Sequence, residues 1–367
     1  MATIRVNLKE RSYNITIGLG LLEKAGNILR GLDIGKDAVI ITNNLLLGLY
    51  GKRLRQSLLA QGISVKCEVV PDSERAKSSD VAFKLIKKIA EYDKKKSLFI
   101  IAFGGGVVGD VAGFVAGIYK RGIPYVQIPT TLLGQVDSAI GGKTAIDLPL
   151  AKNLVGVFYQ PKAVISDVAL LETLSARQIS NGLAEIIKYG IIKDAGLFRF
   201  LEKNYSRILL HDTAAICYAI ERSSVIKAKF VESDEFDTRK IRAALNYGHT
   251  IGHAIEAASS YSSKYNHGES VAIGMIVAAD ISLRLKILPK KDAVRIKALI
   301  HKAGLPTNIV DLNPRKVYDT LLHDKKFVRG ITRLVLPLSI GRVRIVDGIP
   351  EAVIKKAIAK NIKNTFF

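Results

Sequence analysis

Tryptophan is absent from the 367 residues, and cysteine and methionine occur only twice each. Two cysteines, Cys67 and Cys217, cannot form a disulfide framework, which excludes a small disulfide-stapled scaffold and suits a reducing cytoplasm. Acidic residues are in deficit, 33 against 55 basic ones, giving a formal charge of +22. The deficit is spread out: residues 1–160 hold 22 basic and 13 acidic side chains, and residues 161–367 hold 33 and 20. No basic stripe or tail stands out beyond the short run Lys94–Lys96, and there is no tryptophan platform, so nucleic-acid binding is not expected. A field that attracts small anions is a better use of the charge than nucleic-acid binding; solubility or a lysine-rich composition would explain most of it as well. Long hydrophobic runs are missing too. Mean hydropathy is +0.19, but the least charged stretch, 97–119, is rich in glycine and broken by Asp110, unlike a membrane span. Residues 1–18 alternate polar and apolar side chains without an apolar run of the kind a secretory leader needs, so a cytoplasmic protein is expected.

What is present supports a sizeable core: 48% of residues are hydrophobic and 24% charged, and the length suggests two domains. Residues 3–8 and 12–17 alternate like a hairpin. Strands are expected at 36–42, 63–70, 97–103 and 124–128, with helices at 45–61 and 78–92 between them. Short, continuous apolar strands separated by helices imply a parallel, doubly wound sheet covered on both faces. Beyond about residue 168 the pattern turns helical, at 172–193, 197–209, 214–231, 242–259, 269–285 and 291–303. A small hairpin (332–336 with 343–346) and a last helix follow. The expected fold class is therefore an α/β N-terminal domain with a parallel doubly wound sheet, residues 1–168, and a mostly α-helical C-terminal domain, residues 169–367. Ligands of such sheets sit at the carboxyl ends of the strands.

Residues 104–110, G-G-G-V-V-G-D, follow the strand at 97–103 and precede an apolar helix. Glycines allow close backbone approach, and a helix N-terminus offers free N–H groups to a pyrophosphate. The context departs from the usual dinucleotide fingerprint: the loop follows the third such strand, and Pro129-Thr130-Thr131 after the next strand supplies no ribose acid. Tight strand–helix packing would explain the glycines as well. Gly141-Gly142-Lys143-Thr144 ends like a P-loop but lacks its first glycine, so a lysine facing an anion from a glycine turn is the better reading.

Three of six histidines fall within 249–267. His249 and His253, four apart, share a helix face, but Thr-Ile-Gly lies between them, with no glutamate base for a zinc protease. A catalytic metal needs about three protein ligands and one open position. Two histidines and a carboxylate from another helix, notably Glu185 in N-G-L-A-E-I-I-K, would serve; a purely structural histidine pair is the alternative. His211, His301 and His323 lie among polar residues and are expected at the surface.

Longer motifs follow one another through most of the chain: G-G-G-V-V-G-D at 104–110, R-G at 121–122, I-P-T-T-L-L-G-Q-V-D-S-A-I-G-G-K-T-A-I-D at 128–147, K-N at 152–153, L-A-E-I-I-K-Y-G at 183–190, L-N-Y-G-H-T-I-G-H-A-I-E at 245–256, H-G-E-S-V-A-I-G-M at 267–275 and D-K-K at 324–326. In these the sequence resembles the 3-dehydroquinate synthase family of sugar phosphate cyclases. The resemblance implies conversion of 3-deoxy-D-arabino-heptulosonate 7-phosphate to 3-dehydroquinate and phosphate, by transient oxidation with NAD, β-elimination, re-reduction and intramolecular aldol closure. It implies a divalent metal, usually zinc (cobalt being possible), and a homodimer.

By position in the matching motifs, the metal ligands would be Glu185, His249 and His267. His253 would be a catalytic histidine that shuttles a substrate hydroxyl proton. NAD would meet Asn43, Asp72, Glu74, Lys77, Gly105, Gly106, Val107, Val108, Gly109, Asp110, Thr130, Thr131, Lys143, Lys152, Leu170, Glu172 and Thr173. Substrate anions would meet Arg121, Lys143, Lys152, Asn153, Lys188, Lys227, Arg242, Asn246, Lys325 and Lys326. Asp137, Lys143, Asn153, Lys188 and Arg121 would join His253 in the catalytic set. Residues 234–242, D-E-F-D-T-R-K-I-R, depart from the family pattern by one extra residue, which bears on the placement of Asp237 and Arg242. Two other enzyme readings remain beside this one: another sugar phosphate cyclase, and a metal-dependent alcohol or glycerol dehydrogenase that would release NADH. The lysines around G-G-K-T and K-N, which a neutral polyol does not need, argue against the dehydrogenase.

Overall fold

The computed structural model describes residues 1–259, 264–322 and 332–363. The chain divides into two units, residues 1–174 with 216–236, and residues 175–215 with 237–367. The first break thus falls at 174/175, beside the expected 168/169, and residues 216–236 group with the first unit.

The first unit opens with the antiparallel pair β1 (Ala2–Val6) and β2 (Tyr13–Gly18). It continues through α1 (Ala25–Arg30), β3 (Asp37–Thr42), α2 (Asn44–Leu59), β4 (Ser64–Val69), α3 (Ser79–Tyr92), β5 (Leu98–Gly104), α4 (Gly106–Ile118) and β6 (Tyr125–Pro129). A hairpin, β7 (Lys143–Leu148) and β8 (Ala151–Phe158), precedes β9 (Ala163–Asp167). The sheet order is β1-β2-β9-β6-β5-β3-β4, parallel from β2 to β4.

Alternate residues of a strand face opposite sides of a sheet, and here both sides are apolar. Val39, Ile41, Ile100 and Ala102 pack with Leu85 and Ile89 of α3 and Val111 and Val115 of α4. Ala38, Ile40, Phe99, Ile101 and Phe103 pack with Leu29 of α1 and Leu54 and Leu58 of α2. Each large side chain buried this way stabilises the unit by about 1.5–3 kcal/mol, so a doubly covered parallel sheet follows from the composition of its strands. The carboxylate of Asp167, fully buried at the end of β9, accepts the N–H groups of Gly20, Leu22 and Ala169 at 2.9, 2.8 and 3.1 Å.

The second unit holds α5 (Ala176–Ile192) and α6 (Ala195–Leu209); α7 (Thr213–Ser233) starts there and runs on into the first unit. Then come α8 (His249–Ala258), α9 (His267–Arg284), α10 (Lys290–Lys302), β10 (Ile309–Val310), α11 (Pro314–Leu322), the antiparallel pair β11 (Arg333–Ser339) and β12 (Arg342–Asp347), α12 (Glu351–Lys360) and β13 (Ile362–Lys363). Among the described residues no helix is long and apolar enough to cross a membrane.

Several local expectations are corrected. The helix expected at 172–193 begins only at Ala176, because Ser175 and Gln178 form a reciprocal capping box. The helix expected at 242–259 is two pieces, a short turn of 3-10 helix at 241–246 and α8, separated by Gly248 at φ +79°. A side chain there would also meet Met275 Cγ at 2.6 Å and the Val271 carbonyl at 2.8 Å, so glycine both turns the chain and lets α8 reach α9. Strands do recur late in the chain: β10 pairs in parallel with β13, a partner too distant in sequence and too short to leave a periodic signal. The hairpin β7–β8 was not anticipated either.

Candidate functional site

In the first unit, the sheet order places the expected cofactor residues in a row. Asn43 follows β3, Asp72 to Lys77 follow β4, Gly105 to Asp110 follow β5, Thr130 and Thr131 follow β6, and Leu170 to Thr173 follow β9. These are the carboxyl ends of five neighbouring parallel strands. The order reverses between β3 and β5, where Asn43 and the glycine loop stand; such a switch point is where open α/β sheets bind nucleotides. Gly105 precedes α4, and Gly106, Val107 and Val108 form its first turn. Cβ atoms on Gly105 and Gly106 would lie 3.3 Å from the Thr131 and 3.0 Å from the Ser138 side chains, so glycine keeps the approach to the helix N-terminus open. A Cβ on Gly109 would lie 2.9 Å from Gln127, so this glycine serves packing. The residues present thus fit a dinucleotide.

Asn43 caps α2 through Leu46 N–H (2.8 Å) and donates to Asp72 at 2.7 Å. Tyr50 and Thr173 share a 3.0 Å hydrogen bond. Lys77, 3% exposed, is the hub of this edge. Its Nζ stands 2.7 Å from Asp110, 3.8 Å from Glu74 and 3.9 Å from Asp147, and also donates to the Asn153 side chain. Burial pushes the Asp110 carboxyl up to about 6; Lys77 opposes this, and the nearby charges of Glu74 and Asp147 add to it. The same three carboxylates outweigh burial and hold the Lys77 pKa above its ordinary value.

The expected anion-binding residues of this unit divide into groups. Lys143 opens β7 after Gly141 and Gly142, both at positive φ. Lys152 lies 3.8 Å from Glu74. Asn153, at φ +52°, is held by its N–H to Asp147 at 2.7 Å. Lys227 donates to Asp137, at 2.6 Å to its carbonyl and 2.5 Å to its carboxylate. Arg121 is exposed on a turn where Lys120, Arg121 and Gly122 all have positive φ. Glu172 sits in the turn after β9 and is exposed.

In the second unit, three helices bring Glu185, His249 and His267 together. Glu185 is fully buried on α5, and its Oε1 lies 3.3 Å from His249 Nε2 and 3.4 Å from His267 Nε2. Four ligands at about 2.0–2.1 Å around a tetrahedral zinc stand about 3.3–3.4 Å apart along each edge. The spacing of these atoms, all within 4.8 Å of one another, fits such an ion. The helices are fixed locally. Asn266 and Glu269 form a capping box at the start of α9, Arg177 of α5 pairs with Glu269 at 2.7 Å, and Gly268 N–H donates to Asn181 Oδ1 at 2.5 Å. His249 Nδ1 stands 3.2 Å from the Tyr247 carbonyl, which leaves Nε2 toward Glu185.

Burial pushes His249 well below the usual histidine range; Glu185 opposes this, and Lys188 and the other histidines add to it. Burial also opposes charge on His267, but Glu185 and Glu256 outweigh it and raise this histidine to about 10. Lys188, 1% exposed and one turn beyond Glu185, forms a close ion pair with it. His253 is exposed, its ring 5.7 Å from that of His249 and 6.5 Å from that of His267. The helix-face pair His249/His253 therefore does not share the Glu185 set. Arg242, buried, and Asn246 lie on the short helix before α8. Lys325 and Lys326 lie outside the described residues, as does His323. His301 is exposed as expected; His211 is partly buried instead, with a buried Nδ1.

Sequence reasoning did not single out Asp147 or Glu256. Asp147 gave no local signal. Glu256 did: it follows His249 by seven and His253 by three, on one helix face.

Comparison with known proteins agrees in family and fold. Residues 67–181 match the profile described as 3-dehydroquinate synthase N-terminal, and 182–327 the profile described as 3-dehydroquinate synthase C-terminal. A 3-dehydroquinate synthase of Desulforamulus reducens is 46% identical over 361 residues, 98% of this chain and 100% of that protein. The structure of 2-epi-5-epi-valiolone synthase from Streptomyces hygroscopicus, with NAD+ and Zn2+ bound, superposes with a TM-score of 0.87 at 27% identity, covering 96% of this chain and 98% of the other. That of 2-deoxy-scyllo-inosose synthase with carbaglucose-6-phosphate, NAD+ and Co2+ gives 0.88 at 26%, covering 98% and 100%.

Proposed function

Because the chain belongs to the 3-dehydroquinate synthase family, we propose that Glu185, His249 and His267 hold a divalent metal ion and that the strand-end row from Asn43 to Thr173 holds NAD. The enzyme is a lyase of the shikimate pathway, leading to chorismate and aromatic amino acids. It converts 3-deoxy-D-arabino-heptulosonate 7-phosphate to 3-dehydroquinate and phosphate, with NAD and a divalent metal as cofactors. The observation that carries the residue assignment is the 3.3 and 3.4 Å spacing of the Glu185, His249 and His267 ligand atoms.

Bound NAD would supply a reversible hydride acceptor, and a divalent ion held by Glu185, His249 and His267 would supply stabilisation of developing alkoxide charge, a contribution of several kcal/mol. The chain's own residues supply binding and proton handling. Arg121, Lys143, Lys152 and Asn153 take the anionic groups of substrate, as point charges and fork donors suited to phosphate and carboxylate. Asp137 holds the Lys227 ammonium at a fixed place for a second anion. Lys188 keeps a cation beside Glu185, and Arg242 and Asn246 present donors ahead of the histidine helix. The exposed imidazole of His253 takes the proton of the substrate hydroxyl as it is oxidised and gives it back on reduction; a histidine titrates close to neutrality for such work.

We also assign a homodimer and a cytoplasmic location. The hairpin supports the first: Leu150, Leu154, Val155 and Phe158 are 89%, 41%, 39% and 40% exposed, apolar side chains that a second copy would cover. The absence of a disulfide framework supports the second.

The test is a coupled assay. With the heptulosonate phosphate, catalytic NAD and zinc, phosphate is released stoichiometrically without accumulation of NADH. Accumulating NADH would indicate a dehydrogenase instead. Full activity after exhaustive chelation would remove the metal assignment.

A further inference from the structure

Each histidine of the metal set needs its second ring nitrogen held, because the partner of that nitrogen fixes both tautomer and ring orientation. For His249 the holder is a backbone group. Its Nδ1 faces the Tyr247 carbonyl at 3.2 Å, and Tyr247 is anchored in turn by its hydroxyl on the Met275 carbonyl at 2.9 Å. For His267 the described residues put a carboxylate in that place. The first residue of α9, it turns Nε2 toward Glu185 at 3.4 Å and Nδ1 toward Glu256 Oε1 at 3.6 Å. Glu256 is 17% exposed and lies two turns after His249 on the same face of α8, so the helix that carries one ligand also carries the carboxylate that faces the other.

We propose that Glu256 is a positioning residue for the metal centre: its carboxylate takes the Nδ1–H of His267 and keeps Nε2 of that ring on the Glu185 side, where its lone pair would meet the ion. The inference rests on the reading of Glu185, His249 and His267 as the metal ligands. At 3.6 Å the pair is at ion-pair distance, and a ring shift of about 0.6 Å closes a hydrogen bond. The group Glu256, His253 and His267 also brings one ligand atom each within 4.8 Å. A second ion there would take His267 Nδ1 for itself, so the two arrangements exclude each other at that nitrogen and differ in metal count.

The experiment uses the full-length protein stripped with chelator and titrated with zinc against a chromophoric chelator. Wild type binds one zinc per chain. Glu256→Ala binds it 10–100-fold more weakly, Glu256→Gln recovers most of the loss because its amide oxygen still accepts the Nδ1–H, and both unfold cooperatively in the metal-free state. Cobalt-loaded Glu256→Ala shows shifted d–d absorption, which a defect remote from the ion would not cause. If the alanine variant melts early, Glu256→Asp, whose carboxylate is withdrawn by one methylene, is expected to weaken zinc binding in its place. Unchanged zinc affinity in Glu256→Ala, or in Glu256→Asp where that variant stands in, overturns the proposal. So does a second zinc per chain that Glu256→Ala loses, since Glu256 would then be a ligand. Wild-type zinc affinity in His249→Ala overturns the underlying metal assignment, a different result from failure of the Glu256 variants alone.

Discussion

Lys77 Nζ stands 2.7 Å from Asp110 Oδ2, and the same ammonium lies 3.8 Å from Glu74 and 3.9 Å from Asp147. One buried cation thus serves three carboxylates at the edge assigned to NAD. Replacing it by Lys77→Met leaves three acids facing one another beside a pyrophosphate site. NAD affinity, read by fluorescence titration, is expected to fall at least tenfold. Equal affinity would place NAD elsewhere.

The same cluster gives a pH signature. Asp110 sits at about 6 in the fold, above its unfolded value of about 3.9. A raised carboxyl favours the fold while protonated, and that contribution is lost as pH rises from about 4 through 6. Asp110→Asn is therefore expected to gain stability relative to wild type over that window, by an amount on the order of 2 kcal/mol, and to hold the gain above it. Denaturant unfolding at stepwise pH measures the difference. A relative loss over the same window would mean that pairing with Lys77 dominates burial.

Zinc uptake is expected to release protons. With His267 raised to about 10 and His249 pushed far down, the metal-free protein carries one proton on the pair at pH 7 to 9. A divalent ion displaces it, so affinity should rise about tenfold per pH unit across that range. Calorimetry in two buffers of different ionisation enthalpy should report about one proton per zinc; zero would contradict the assignment. The raised His267 also stabilises the metal-free fold below about 6.5, and that support is lost as pH rises through 10. Melting of the metal-free protein should follow this loss.

His249→Ala and His253→Ala separate the two roles. The first should lose zinc. The second should keep it, while turnover falls by about 10²–10⁴. Equal metal loss in both would merge the roles.

Gly248→Ala tests the turn between the short helix and α8. The residue would sit at φ +79° and its Cβ 2.6 Å from Met275 Cγ. A loss of about 2–4 kcal/mol is expected from the strained backbone and the overlap together, with weakened zinc binding because His249 is the next residue. Unaltered stability would mean α8 can retreat from α9.

By itself, the sequence determined what repeats locally. The strands of the sheet appear as apolar runs because both faces are buried, and alternation along β3 and β5 divides their side chains between two cores. The glycine loop and the helix-face histidines are equally local, and the long motifs carried the family. Packing alone decided the rest. Glu185, His249 and His267 lie on three helices, and their approach depends on a close contact at Gly248 and on capping boxes at Ser175 and Asn266. The hairpin stayed hidden because almost all of β8 is exposed and has no buried face to impose a period of two. Which ring nitrogen of His267 meets Glu185, and which meets Glu256, is a matter of orientation between helices, and no spacing along one chain encodes that angle.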